Sequence, residues 1–478
     1  MLAPTSNRDM DGEIAAKDKP LDKAGDDSSI RIVTENNKNP SGAEDTEANE
    51  VFKLNGQVNY RTMGWIKASI MFCKFQIAAG ILSIPGSFHD LGAIPASILV
   101  FVWGGLSLYG ALLMGQFRLN HASIHSVGDA GTLIGGKILG EVVAWMYFFS
   151  WVLPAGVTML SVSIAFNTLS DHALCTMTFT AIAAVLCTIP ALMPKFGQIG
   201  VLTWVGFVTL YISILIVVIA VSLQDRPAAA PTTGTYDLEF YLVNKPTFSV
   251  GLAASNLILT SYGGTTAYIP ASSEMRDPKR YFNRAVYIAL TITTLSYFIL
   301  PLIVYKYCGQ YVASPALASA GPLIKKIAYG IALPGLAITC TLFLHTCGKF
   351  IMVKLLRGTR HLQEKTWQHR LTWLCSVVSI TIVAFVLATG VPFYSELLSV
   401  LVLFTTPNTI SLPMLMWFYD NKHFKRKTTW YASVIHGIFL VAGLFFGIAG
   451  CIVSCLNIND LYKEGKAGAA FSCADNAV

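Results

Sequence analysis

Eleven apolar runs, each about as long as a bilayer is thick, follow one another after position 64, at residues 65–88, 92–117, 141–169, 173–192, 199–223, 248–273, 285–305, 327–353, 371–389, 397–418 and 431–455. A helix needs about 20 mostly apolar residues to cross the hydrocarbon layer. Lipid offers no partners to backbone N–H and C=O groups, so a crossing segment must satisfy them itself. The expected fold class is an all-α polytopic membrane protein with eleven transmembrane helices. Charge agrees: of 34 Lys/Arg and 27 Asp/Glu, eight and twelve respectively precede position 65, so the other 414 residues carry only 41 charges. At 13% charged residues the chain has about half the share of an ordinary soluble domain.

Residues 1–64 form a different region, net −4, rich in Asp, Glu, Lys, Asn, Gly and Ser and nearly without aromatics. Such a composition cannot bury enough apolar surface to offset ordering entropy, which predicts a disordered tail. With that tail in the cytoplasm, the short loops on its side hold sixteen Lys/Arg against seven on the other, and an odd span count puts residues 456–478 outside. The basic pI near 8.8 therefore reflects orientation in a lipid bilayer, and no nucleic acid is expected. No apolar leader precedes Trp65, so the first span is expected to target the chain.

Of the ten cysteines most lie inside apolar runs, with no metal-ligand spacing. No metal, cofactor or ATP-binding loop is expected, and no nucleophile-base constellation suggests an enzyme. Cys175, Cys308 and Cys473 fall near the outer side, where a disulfide is chemically possible, and the sequence leaves the pairing open.

Two of the spans are interrupted alike. In the first, Ala78-Ala79-Gly80 precedes Ile84-Pro85-Gly86-Ser87, and in the sixth, Tyr262-Gly263-Gly264 precedes Ile269-Pro270-Ala271-Ser272. Glycine costs about 1 kcal/mol and proline about 3 kcal/mol inside a helix, so these clusters mark breaks where irregular backbone can line a polar cavity. Five spans separate the two, so the second copy enters from the opposite side. That is the pattern of a five-plus-five inverted repeat, residues 65–223 and 248–418, with the helix at 431–455 outside it. The same clusters also fit the general tolerance of membrane helices for glycine and proline.

The stretch from Gln76 to Gly92, with its Gly80-Ile81-Leu82-Ser83-Ile84-Pro85 core, resembles the first span of the amino acid/auxin permease family, and Glu274-Met275-Arg276-Asp277-Pro278-Lys279-Arg280 resembles the segment after that family's sixth span. The similarity runs from Trp65 to Cys455 and is strongest to fungal neutral amino acid permeases of the methyltryptophan-resistance type. The resemblance implies a LeuT-like fold of the APC type, binding of the substrate's α-amino and α-carboxyl groups at the two breaks, and residence in the plasma membrane, with the vacuolar membrane as the alternative.

A zwitterion at the midplane needs both charges met without bulk water. The half-helix starting at Gly80 and Ile81 would offer N–H groups and a positive dipole end to the carboxylate, and the carbonyls of Gln76, Ile77, Thr260 and Ser261 would face the ammonium. Ala78, Ala79, Gly80, Gly263 and Gly264 are small enough to let a ligand approach backbone. Tyr262, Tyr147, Phe149, Phe404 and Thr405 are the expected side-chain subsite; ordinary packing is the other reading of each aromatic. No acidic residue accompanies them, so the expected substrates are neutral, both aliphatic and aromatic.

On the family pattern Lys74 occupies the place where sodium-coupled members carry an asparagine that helps coordinate the ion, together with a threonine matching Thr339 or Thr341. An ammonium there would stand in for sodium, which favours a proton as coupling ion; the competing reading is a lysine snorkelling to the inner face. Thr341, His345 and Lys349 share one helix face at four-residue spacing, which could be a hydrated path. Glu274, beside Arg276 and Asp277, fits either an inner-side ion pair or a solvated cluster. The expected function is proton-driven import of neutral amino acids; the rival is an amino acid sensor with little transport that signals through residues 1–64.

Overall fold

The computed structural model describes residues 63–78, 80–193, 196–362, 364, 366–390, 394–463 and 471–474, all within the compact unit Asp45–Val478. Except for Met63 and Gly64 the expected tail lies outside the described residues, as does Ala79. The described residues are helical in every named element; Met63 and Met275 form an isolated parallel bridge.

The order is α1 (Trp65–Gln76), a 3-10 turn (Gly80–Leu82), α2 (Ile84–Leu91), α3 (Ala93–Asn120), α4 (Val127–Ser170), α5 (Thr176–Ala191), α6 (Phe196–Leu223), α7 (Phe248–Ser261), a 3-10 turn (Gly263–Ala267), α8 (Tyr268–Ser272), α9 (Pro278–Cys308) and α10 (Pro322–Leu356). Then come α11 (Trp367–Gly390), α12 (Tyr394–Val400), α13 (Val402–Thr406), a π turn (Pro407–Ser411), α14 (Leu412–His423) and α15 (Trp430–Lys463). Among the described residues eight helices are long and apolar enough to cross a membrane, and Thr176–Ala191 is a shorter apolar helix.

Both interruptions read from sequence are present. The first span stops as α-helix at Gln76 and resumes at Ile84, with Pro85 in the first turn of α2, where its missing N–H is no loss. The sixth stops at Ser261 and resumes at Tyr268, with Pro270 near the start of α8. The third expected span, read as starting at residue 141, is preceded by a short helical arm that the sequence reading did not include. A capping box at Ser126 and Asp129 starts a helix at Val127, and Gly136, at φ +77°, turns the chain so that residues 127–134 fold back onto the rest of α4. The two arms meet at glycines: a Cβ on Gly131 would lie 3.2 Å from Gly140 Cα.

Helix α10 is the axis of the bundle and packs along α6 and α4. Its approach to α6 is backbone-close, since a Cβ on Gly335 would lie 2.8 Å from the Gly206 carbonyl oxygen. Cys175 and Cys473 form a disulfide, which settles the pairing left open by sequence, and Cys308 is a buried free thiol. The Phe471 N–H donates to the Thr389 carbonyl (2.9 Å) and the Thr176 hydroxyl to the Ala474 carbonyl (2.7 Å), so the C-terminal segment is laid across the ends of α5 and α11.

Candidate functional site

The two breaks face each other. Gly80 meets Ser261 so closely that a Cβ on it would lie 2.4 Å from the serine Oγ, and a Cβ on Gly264 would lie 2.4 Å from the Phe75 carbonyl oxygen. The Gln76 side chain spans the gap, accepting from the Gly264 N–H (3.2 Å) and donating to the Tyr268 hydroxyl (3.2 Å). Gaps in two helices expose N–H and C=O groups that no helical partner takes, and their meeting gathers these poles in one place.

Between the breaks lies a cavity of about 40 Å³. Of the residues read from sequence it is lined by Gln76, Ala78, Gly80, Thr260, Ser261, Gly263, Gly264 and Thr405. Its other walls are Phe75, Ser150, Trp151 and Pro154 of α4, Phe343 of α10, and Leu398 and Leu401. Of these lining residues, Trp151 Nε1 and Thr260 Oγ1 are buried without a hydrogen-bond partner among the described residues.

Other expected contacts point elsewhere. The Tyr262 ring is fully buried, but its hydroxyl donates toward the Val100 carbonyl (3.1 Å) and Thr294 (3.2 Å), away from the cavity. Phe149 is 38% exposed on the outside of the bundle and packs on Phe404, ring centroids 4.9 Å apart. One residue on a helix turns about 100°, which is why its neighbours Ser150 and Trp151 face the cavity instead. Tyr147 lines a different cavity, and Ile77 and Ile81 are buried off this one. Tyr297, unremarked in the sequence, takes up backbone acceptors at both breaks: its hydroxyl lies 2.6 Å from the Gln76 carbonyl and 3.0 Å from that of Ser261.

Lys74 is fully buried, and its Nζ donates to the carbonyls of Gly206 on α6 (3.0 Å) and Gly335 on α10 (3.2 Å). This is not a snorkelling geometry. The ammonium fastens the first broken helix to the tight α6/α10 crossing, where the absence of side chains at both glycines leaves the carbonyls accessible. Thr339 donates to the same Gly335 carbonyl (2.7 Å), whereas Thr341 donates to the Cys187 carbonyl on α5 (3.0 Å), so of the two threonines Thr339 adjoins Lys74. His345 also faces α5, with Nδ1 3.4 Å from the Ala191 carbonyl, and packs against Trp373. The expected polar face of α10 is thus docked against α5 over its first two members.

Lys349, the third, pairs with Glu274, and both are buried. The partner of Glu274 is therefore Lys349 on α10 rather than the neighbouring Arg276. The backbone of Glu274 accepts from the Met63 N–H (3.0 Å) and the Arg276 N–H donates to Met63 (3.0 Å), so the entry to α1 and the exit from α8 are joined at one point. Beside them lies a larger cavity of about 310 Å³, where Lys349, Lys354, Arg357, Asp129, Glu141 and His125 converge. Arg357 pairs with Asp129 and Lys354 with Glu141. Burial, with the positive charges of Lys349, Arg118 and Arg357 nearby, holds His125 well below the usual histidine range. Removing one partner of a buried ion pair costs about 3–5 kcal/mol. Glu274→Ala is accordingly expected to lower the stability of the purified protein by about that amount in thermal unfolding, and Glu274→Leu with Lys349→Met to restore most of it.

The family model described as transmembrane amino acid transporter protein matches residues 61–455. A protein named transmembrane transporter from Gibberella moniliformis is 35% identical over 91% of this chain and 93% of its own length, and one of the same name from Fusarium pseudograminearum is 35% identical over 90% and 91%. The N amino acid transport system protein of Neurospora crassa is 27% identical over 88% of this chain and 90% of its own length.

Proposed function

Because the chain belongs to the transmembrane amino acid transporter family, of the amino acid/auxin permease type, we propose that it imports neutral amino acids by proton symport, holding the substrate between its two helix breaks. Membership points to a transporter rather than an enzyme. The observation that carries the reading is the meeting of the breaks: backbone poles of both signs and small residues surround one small cavity. A substrate carboxylate suits the N–H groups that follow Gly80, and an ammonium suits the carbonyls that end α1 and α7, which Tyr297 would release on binding.

Adding the two broken segments and the shorter α5 to the eight long helices gives eleven membrane segments, arranged as two inverted repeats of five in a LeuT-like fold with α15 outside them. The fold-back at residues 127–134 and the Lys349–Glu274 pair then lie on the cytoplasmic side, with residues 1–64 as a cytoplasmic tail. The Cys175–Cys473 disulfide supports an outer C-terminus, because such bonds persist in oxidising compartments. The plasma membrane is the proposed location, from the subfamily resemblance.

For coupling, a protonated Lys74 donates to two carbonyls where an ion would otherwise sit, and its deprotonation toward the inner side would loosen α1 from α6 and α10. No acidic partner of Lys74 occurs among the described residues, which leaves the proton as the natural variable charge. The test is uptake of labelled amino acids into proteoliposomes with sodium and proton gradients imposed separately. Uptake driven by an inward proton gradient, indifferent to sodium and collapsed by a protonophore, is expected. Uptake that follows sodium would overturn proton coupling, and binding without flux would favour the sensor.

A further inference from the structure

The cavity between the breaks has a wall that no backbone argument explains. Trp151 enters it from α4, 2% exposed, with its ring centroid 5.2 Å from that of Phe75 and 5.4 Å from that of Phe343. Rings wedged between other rings in a close-packed interior are not displaced without disturbing each neighbour. Trp151 is therefore a fixed wall. The space it leaves between the two breaks is small, about 40 Å³. A small side chain asks little of these walls, whereas a phenyl or indole side chain competes with Trp151 for space.

The same residue carries an unmet polar group. Trp151 Nε1 is buried with no acceptor among the described residues, and the Thr260 hydroxyl, 4% exposed on another wall of the same cavity, is likewise unpartnered. Buried donors are nearly always paired, and both residues line this cavity, so the polar atoms of a bound molecule are the natural partners.

We propose that Trp151 sets the specificity of this site, restricting it to neutral amino acids with small side chains, the glycine, alanine and serine class, and donating its N–H to the bound molecule. This rests on the reading of the cavity as the amino acid site, and it narrows the aliphatic and aromatic range expected from sequence.

The test is equilibrium binding of labelled alanine to the purified full-length protein, with unlabelled serine, leucine and phenylalanine as competitors, so that it does not depend on flux. In the wild type, serine should compete at least about tenfold better than phenylalanine, the discrimination a pocket wall typically provides. Trp151→Ala should improve phenylalanine relative to alanine by about tenfold or more. Trp151→Phe keeps most of the bulk and removes the N–H, so it should weaken alanine by about tenfold while preserving the size preference. Wild-type protein that binds phenylalanine as well as alanine overturns the proposal without touching the transporter reading, as does an unchanged ratio in Trp151→Ala. Binding of no neutral amino acid overturns the site itself.

Discussion

Lys74→Ala is expected to abolish uptake in a protein that still reaches the membrane. The side chain is buried in a span where an ionised group costs about 2.5–3.5 kcal/mol to insert, and its two acceptors lie on two other helices. A hydrogen bond from a charged donor is worth about 1.5–3 kcal/mol, and each 1.4 kcal/mol is tenfold in a population. Losing both therefore removes at least about a hundredfold of the docked arrangement of α1 on α6 and α10. Lys74→Met separates charge from bulk: it fills most of the volume and should fail equally. Uptake assays on cells with matched surface expression make the measurement. Normal proton-driven uptake in Lys74→Ala would remove Lys74 from the mechanism and leave the Lys349–Glu274 pair as the next place to look.

Gly264→Leu and Gly80→Leu are expected to be equally silent for a steric reason. At Gly264 even a Cβ would meet the Phe75 backbone, carbonyl oxygen at 2.4 Å and carbon at 2.7 Å, and backbone cannot rotate away as a side chain can. At Gly80 the first obstruction is the Ser261 side chain, at 2.4 Å from Oγ, followed by its Cα at 3.0 Å. Overpacking costs about 1–3 kcal/mol where neighbours can shift. Here the shift would part the two breaks, so substrate binding is lost before the fold is. Gly264→Ala should already fail, whereas Gly80→Ala with Ser261→Gly should recover measurable uptake, since the second change removes the serine Oγ and Cβ that the first would strike. Full uptake by correctly localised Gly264→Leu would show that the substrate lies elsewhere.

The parts of this architecture that were legible in the sequence share a cause. Helix breaks are written in glycine and proline, and long apolar runs announce themselves, so α1 ending at Gln76 and α7 ending at Ser261 fall close to where the clusters put them. For Lys74 the sequence left burial and snorkelling side by side, and its full burial is what the structure adds. What could not be read is which side of an all-apolar helix faces a cavity. In α4 Phe149 and Trp151 are two equivalent aromatics by composition, yet one packs on the outside and the other lines the site. Tyr262 was placed in the right break and pointed the wrong way to touch the cavity, because its hydroxyl found Val100 and Thr294. Glu274 and Lys349 are 75 positions apart, and local sequence offered Glu274 nearer candidates.

The bond between Cys175 and Cys473 joins positions 298 residues apart, and this makes most of the molecule a covalent ring. Helices α5 to α15 lie on its circumference, while α1 to α4 hang from it as a single free arm. A cut anywhere on that circumference, for instance in the turn between α10 and α11, opens the ring but releases nothing: the severed pieces stay one molecule until the sulfurs are reduced. The arm carries the first break and the ring carries the second, so the two halves of the candidate site belong to topologically distinct parts of one polymer.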